Sequence, residues 1–336
     1  KNSKVLAPPY IEISEIKSKK LKSIYFWWGT PTTLNWKQID RIIKELENKF
    51  WFSKHIEINL ETTPENVTQE NIKNRKDIGI NRISMWIQSL NNDTLKEIHR
   101  KPNSEIYRAL RVLDQGIISN VSIDFIIGLP FVKKGELKTY IDHVLENYKI
   151  IKHVSVYMLE DYYETPEDID SNFQNVTYPV NWSKNWIWEE DFLEEYTSIK
   201  SDLKSQKFKA YEISNFSKKW YECKHNKAYW NHKEIAAFGL WASWFIEWRR
   251  YKNSDDFWDY YKWDNIEYDI LSEKDILLEK IIFWLRTDWV EKEYIWANQE
   301  KIRALEKQKL IRISKNKIHL WEKWYTLLDT ISLELI

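Results

Sequence analysis

Four apolar, strand-like runs of this chain end on residues that suit a hydrophobic core badly: Gly29-Thr30-Pro31 closing SIYFWWG, Glu61 closing HIEINLE, Gln88 in RISMWIQS, and Asp124 with Gly128-Leu129-Pro130 in VSIDFIIGLP. A hydroxyl, an amide and two carboxylates offer donors and acceptors together, and the carboxyl ends of parallel strands are where α/β sheets hold their ligands. Taken singly, each has a plainer use. Thr30 serves as a helix cap, Glu61 and Asp124 as solvated strand ends and Gln88 as a satisfied loop amide; the set of four points to a bound polar molecule.

A second group lies far downstream in ECKHNKAYW, where Cys223, His225, Asn226, Tyr229 and Trp230 fall within one short stretch. His225 reads there either as a ligand or as a hydrogen-bonded loop residue. Cys223 is the one cysteine of the chain, so it forms no internal disulfide and reads as an ordinary, partly buried thiol. His55, His99, His143, His153, His232 and His319 lack the spacing of metal ligands, and the chain has neither a P-loop nor a nucleophile elbow.

Strands to carry these groups alternate with amphipathic helices. The pattern predicts strands over residues 23–29, 55–61, 82–89, 121–130 and 153–159, with helices over 37–49, 69–77, 93–99, 104–115 and 134–147 between them. Apolar strands separated by helices of this length indicate parallel βα units. A polar linker over 160–183 and a helix over 189–207 follow, then FKAYEISNF. Helices over 274–286 and 298–308, the hairpin LIRISKNKIHL and a last helix over 325–335 resemble a winged-helix appendage. This divides the chain into segments 1–160, 161–265 and 266–336.

Composition removes several function classes. Across 336 residues, 51 Lys and Arg balance 51 Asp and Glu, so no net field draws the chain to nucleic acid or to an anionic membrane, and the winged-helix-like end reads as packing. No apolar run approaches the roughly 18 residues of a membrane span, and no signal-peptide pattern opens the chain. With a lone cysteine, a reducing cytoplasm is the expected compartment.

Glycine and tryptophan are out of proportion. There are 6 glycines and 20 tryptophans, whereas a globular chain at about 7% glycine carries roughly 24. The glycine deficit matches the tryptophan surplus. Trp182, Trp263, Trp289 and Trp324 also sit in turn-like contexts that favour a residue without Cβ. We read the surplus as UGA codons that the source lineage translates as glycine and that stand here as tryptophan; Trp230 is the one indole kept as genuine.

With Trp27 and Trp28 as glycine, the first strand end becomes YFGGGTPTTL. In that form the chain resembles the radical S-adenosylmethionine (SAM) family, and within it the oxygen-independent coproporphyrinogen III oxidase-like branch, which includes heme chaperones. The likeness continues in order: EINLETTPENV beside the family's EITLEANP, GINRISMWIQSL beside GVNRLSLGVQS, HRKPNSEIYRAL beside the GRxHS segment, VSIDFIIGLP beside NVSLDLIYGLP. It then runs through YEISNF, ECKHNKAYW, FGLWASW (family GLGAGA) and FWLRTDWV (family GLRTxEG).

The resemblance implies an α/β fold, an incomplete (β/α) barrel lacking its first strand, followed by an α/β extension and a small helical, winged-helix-like C-terminal domain. It sets Trp28 (as glycine), Gly29 and Thr30 against the methionine end of SAM, and gives Glu61 its amine or ribose. Gln88, Arg100 and Asp124 are implied to complete the ribose and carboxylate contacts, with the Met158 backbone near the adenine; without the family, Arg100 reads as a surface charge at a helix end. HNKAYW marks the chaperone-like members, which implies heme near His225, with flanking aromatics for the porphyrin, and heme-accepting apo-proteins as partners. The true oxidase, acting on porphyrinogen propionates, and a non-catalytic fragment are the other readings; a homodimer is compatible with all three. The family's 4Fe–4S iron–sulfur cluster is held by a CxxxCxxC loop that this chain does not contain, and the expectation is that the loop lies upstream of Lys1. Peptide mass spectrometry of the native protein should return glycine masses at positions 27 and 28; an indole at either position removes the codon reading.

Overall fold

The computed structural model describes residues 20–27, 31–159, 189–246, 249–262, 267–295, 297–321 and 328–335. Its frame is a seven-stranded sheet, in the order β1-β2-β3-β4-β5-β7-β6. The first five strands, β1 (Lys20–Phe26), β2 (Trp51–Thr62), β3 (Arg82–Gln88), β4 (Asn120–Ile127) and β5 (Ile151–Met158), pair parallel in sequence order. The short strands β6 (Lys209–Ala210) and β7 (Asn215–Ser217) close the far edge antiparallel. The sheet curls into a half-barrel, as expected.

Helices α1 (Trp36–Lys49), α2 (Gln69–Asp77), α3 (Asn92–Glu97), α4 (Asn103–Leu113) and α5 (Glu136–Asn147) fill the crossovers. Each begins for a local reason. In α1, the Asn35 side chain accepts from Gln38 N while Gln38 reaches back to the Asn35 backbone, a reciprocal cap, and Ile39, Ile43 and Leu46 fall on one buried face. In α3, Asn91 accepts from the backbone amides of Asp93 and Thr94, and the chain leaving that helix delivers Arg100.

Strand alternation sorts the sheet into two unlike faces. Ile58, Leu60, Ile83, Met85, Ile87, Ile123, Phe125, Val154 and Val156 turn toward the helices and are buried. The opposite, concave face carries Tyr25, Glu57, Asn59, Glu61, Arg82, Ser84, Trp86, Ser122, Asp124, His153 and Ser155, whose strands stand in register. A polar inner wall is thereby set against an apolar outer one.

Beyond the barrel, α6 (Glu189–Ser205) precedes the edge strands and α7 (Lys224–Trp230) packs against β1. An antiparallel meander follows, formed by β8 (Ser243–Ile246), β9 (Arg249–Lys252) and β10 (Glu267–Ile270), with α8 (Phe257–Lys262) between its last two strands; the sequence reading assigned no strands there. The C-terminal part has α9 (Glu273–Thr287), β11 (Val290–Glu291), α10 (Gln299–Lys307), the hairpin β12 (Ile311–Ser314) and β13 (Lys317–Leu320), and α11 (Leu328–Glu334). Its own apolar cluster includes Ile281, Leu285, Ile302, Ile318 and Ile331. Helices and a three-stranded sheet, β11-β13-β12, match the winged-helix-like expectation.

Two tryptophans take left-handed backbone, Trp220 at φ 77° and Trp241 at φ 62°. That region is the ordinary place for glycine and an outlying one for a bulky side chain. Trp220 is also 81% exposed, so its indole gains little from packing. Trp182, Trp263 and Trp324 lie outside the described residues, while Trp289 is covered by the Lys317 ammonium, 3.2 Å from its ring centroid. Among the described residues no helix is long and apolar enough to cross a membrane.

One ion pair fastens the C-terminal part to the sheet. Arg286 Nε of α9 meets Glu212 Oε2 at 2.9 Å, and the fully buried carboxylate also accepts from Ser214 N and Asn215 Nδ2. Removing one partner of such a pair leaves a buried charge undercompensated. Arg286→Ala should therefore cost about 3 kcal/mol in urea unfolding, whereas a loss within about 0.5 kcal/mol would show that water replaces the guanidinium.

Candidate functional site

The mouth of the half-barrel is made by the carboxyl ends of β2 to β5. Glu61, next to last in β2, is 5% exposed and its Oε1 accepts from the Tyr25 hydroxyl at 3.0 Å. Burial first, then the charge of Glu61, push the Tyr25 phenol well above its usual range, so it stays protonated and donates. Gln88 ends β3 at φ 65°, where the register with β4 slips, and its Oε1 accepts from Arg100 Nε at 3.1 Å. The left-handed backbone turns the Gln88 amide out of the strand direction and toward Arg100. Arg100 is held in turn by its own backbone, N to Leu95 O at 2.7 Å. It is a positioned group, not a loose surface charge.

Asp124 stands opposite Ser155 in the β4–β5 register, and Ser122 Oγ approaches its Oδ1 at 3.4 Å. Burial pushes its carboxyl up to about 6, against the pull of hydrogen bonds from Ser155 and Ser122 and of the Arg82 charge. Met158 is the last residue of β5 and is 42% exposed, which leaves that strand end open. Trp28, Gly29 and Thr30 lie outside the described residues. Glu61, Gln88 and Met158 thus stand at the carboxyl ends of β2, β3 and β5, with Arg100 bonded to Gln88, whereas Asp124 lies three residues before the end of β4 and not at its tip.

Below the rim, the inner wall is tied together by hydrogen bonds. Ser122 Oγ contacts His153 Nδ1 at 2.8 Å, His153 Nε2 contacts the Tyr211 hydroxyl at 2.8 Å, and Asn226 Nδ2 donates to that hydroxyl at 3.4 Å. Desolvation, aided by Arg82, holds the His153 imidazole well below its usual value and therefore neutral. Arg82 Nη1 donates to Asn120 Oδ1 and to Tyr221 O, both at 3.1 Å. Glu57 Oε1 accepts from Lys224 N at 2.8 Å and from Cys223 Sγ at 3.5 Å. Together these bonds lay the segment from Tyr221 to Trp230 across the barrel.

That segment carries the second group. Cys223 is buried completely, deeper than the sequence suggested, because its side chain is turned to Glu57; burial raises its thiol to about 12. His225 lies on helix α7, not in a loop, with its ring centroid 4.9 Å from that of Tyr25. Desolvation lowers its pKa to about 4, so the imidazole is neutral and keeps a lone pair. Tyr229, Trp230 and Phe283 pack edge-on and tilted at 4.8–5.4 Å, with the Arg286 guanidinium 4.6 Å from the Trp230 ring centroid.

Several of these groups escaped the sequence reading. Tyr25 joins the two sites, giving its hydroxyl to Glu61 and its ring to His225. Glu57, Asn59, Arg82, Ser122, His153, Ser155 and Tyr211 form the wall. The signal was present as every second residue of E-I-N-L-E, S-I-D and H-V-S being polar within otherwise apolar strands. Asn59 Nδ2 and Arg82 Nε are buried with no hydrogen-bond partner among the described residues, which suits a wall that faces a polar occupant.

Comparison with known proteins agrees with this architecture. Residues 10–144 match the family model of the Radical SAM superfamily. The chain is 28% identical over 339 residues to the heme chaperone HemW of Lactococcus lactis subsp. lactis, covering 94% of this chain and 85% of that one. It is 31% identical over 233 residues to the heme chaperone HemW of Buchnera aphidicola subsp. Schizaphis graminum, covering 68% of this chain and 57% of that protein. The solved structure of coproporphyrinogen III oxidase from Escherichia coli superposes with a TM-score of 0.75 at 16% identity, covering 100% of this chain and 84% of that one, a likeness of fold.

Asp124 supplies a test of the buried mouth. Its folded value, about 6, lies above the ordinary 3.8, so the native state holds the proton more tightly than the unfolded chain. The stability this confers is full below about pH 4 and is lost as pH rises through about 6, a change of about 2 kcal/mol allowing for the residue's partial exposure. Asp124→Asn should abolish that pH dependence in chemical denaturation; identical profiles for the two proteins would mean that Asp124 is solvated.

Proposed function

We propose that this chain, whose barrel is a radical SAM domain of the coproporphyrinogen-oxidase-like branch, is a HemW-like heme chaperone that binds SAM at the mouth of the half-barrel and takes up heme beside α7 for delivery to apo-proteins. The observation that carries the reading is the placement of His225. A neutral imidazole on α7, next to Tyr229 and Trp230, lies against the same Tyr25 that donates to Glu61 at the rim. The likeness to heme chaperones over most of the chain supports it.

The donor set at the rim fits SAM. Glu61 suits an ammonium or a ribose diol, Arg100 a carboxylate, and Gln88 and Asp124 hydroxyl groups, while the open end of β5 at Met158 suits a purine edge. Bound there, SAM supplies a carbon–sulfur bond that one electron can cleave. Tyr25 orients Glu61, and the Gln88–Arg100 bond holds the guanidinium at the rim. Asp124, flanked by Ser122 and Ser155, is placed to accept from a diol once ionised. The radical SAM family implies an iron–sulfur cluster as well. Cys223, protonated and turned inward to Glu57, does not fit a cluster ligand, and no step is assigned to it.

Heme titration followed by the Soret band should show binding by the wild type and, for His225→Ala, a loss of roughly tenfold or more in affinity. Unchanged affinity in that variant removes His225 from the site. Decarboxylation of coproporphyrinogen by the purified chain would favour the oxidase instead.

A further inference from the structure

We propose that His153 is a positioning residue that carries the protonation state of Asp124 across the inner wall to Tyr211, and so to Asn226 beside His225. The part a ligand plays in this rests on the SAM reading of the mouth.

Ser122 has a single proton and two acceptors within reach, His153 Nδ1 at 2.8 Å and Asp124 Oδ1 at 3.4 Å. Ser122 and Asp124 stand two residues apart on one face of β4, and β5 sets His153 opposite Ser122. Across the imidazole, Nε2 lies 2.8 Å from the Tyr211 hydroxyl, whose oxygen also accepts from Asn226 Nδ2 at 3.4 Å and from the Cys223 backbone amide. His153 is 1% exposed and neutral, so its ring holds one proton on one of two nitrogens.

Two arrangements follow. With Asp124 protonated, the acid proton goes to Ser122 Oγ, Ser122 donates to Nδ1, and the ring proton on Nε2 goes to the Tyr211 oxygen. That oxygen then meets three donors with two lone pairs, and its own proton has no acceptor among the described residues. With Asp124 ionised, Ser122 donates to the carboxylate, Nδ1–H donates to Ser122, and bare Nε2 accepts from Tyr211. The Tyr211 oxygen is left to Asn226 and Cys223, and every donor is matched. One proton leaves per change: that of Asp124 moves to Ser122, that of Ser122 moves to Nδ1, and the one on Nε2 departs to solvent.

A diol donating to Asp124 needs the carboxylate, so a nucleoside in the mouth selects the second arrangement. Around this chain of bonds lie Tyr25 of β1, Glu57 and Glu61 of β2, Arg82 of β3, Tyr157 of β5, Glu212 between β6 and β7, and Cys223 ahead of α7. Burial keeps the tyrosines and the thiol protonated, and Arg82 stays charged. Replacing Asp124 separates its titration from those of the other three carboxylates.

The test is the ring 15N spectrum of the native chain labelled at histidine, with the His153 signals assigned by their loss in His153→Gln. In the free protein the ring proton should move from Nε2 to Nδ1 as pH rises through about 6, the value of Asp124. Saturating S-adenosylhomocysteine, which needs no cleavage, should lower that midpoint by about one pH unit. Asp124→Asn and Ser122→Ala should each abolish the response, and Ser122→Thr, which keeps the hydroxyl, should retain it; thermal melts establish that each variant is folded. A tautomer that ignores pH in the native chain, or that follows it unchanged in folded Asp124→Asn or Ser122→Ala, overturns the relay. Binding of S-adenosylhomocysteine in equilibrium dialysis with the midpoint unmoved overturns the ligand's part in it and leaves the SAM site standing. No binding, with the pH response intact, overturns the SAM reading and leaves the relay.

Discussion

A guanidinium buried inside a protein must find acceptors, and Arg82, 1% exposed at the start of β3, finds them on both sides of the barrel. Asn120 answers from the neighbouring strand and the Tyr221 carbonyl from a segment 139 residues away. The Glu57 carboxylate offsets part of the cost of its burial. From that constraint the rest of the interior follows. Tyr221 is pinned, so Cys223 and Lys224 meet Glu57, so α7 starts where it does, and His225 arrives against Tyr25. A polar inner wall is costly unless its bonds close, and here, with Asn59 Nδ2 and Arg82 Nε left over, the bonds that do close also place α7 against β1.

Much of this frame was legible in the chain. Period-two apolar runs and period-3.6 helices placed the five parallel strands and their crossovers to within a few residues, and α2 at residues 69–77 to its ends. The polar residues foretold strand ends at Glu61 and Gln88, while Asp124 lies inside β4, because only the register, which no local pattern reveals, sets where a strand stops relative to its neighbour. What stayed hidden depends on tertiary closure. Tyr25 and His225 are 200 residues apart in sequence and nothing local announces their contact. The meander β8 to β10 was missed since WASWFIEWRRYK alternates poorly, and Cys223 was placed too near the surface because its partner, Glu57, comes from a strand with which it shares no local pattern.

The tryptophans bear on both levels. Trp220 and Trp241 hold backbone that glycine occupies freely, so the strain there is a property of the residue type and not of the fold.

Glu212 sits in the short connection between β6 and β7, and the strand that follows lies along β5 with Asn215 opposite Ser155. Arg286 grips that connection from α9, and Phe283 of the same helix packs on Tyr229 and Trp230, so α9 joins the barrel edge to α7. One helix near the end of the chain is thereby a shared wall, and a change in its position is felt both at the strand beside Ser155 and at the aromatic end of α7.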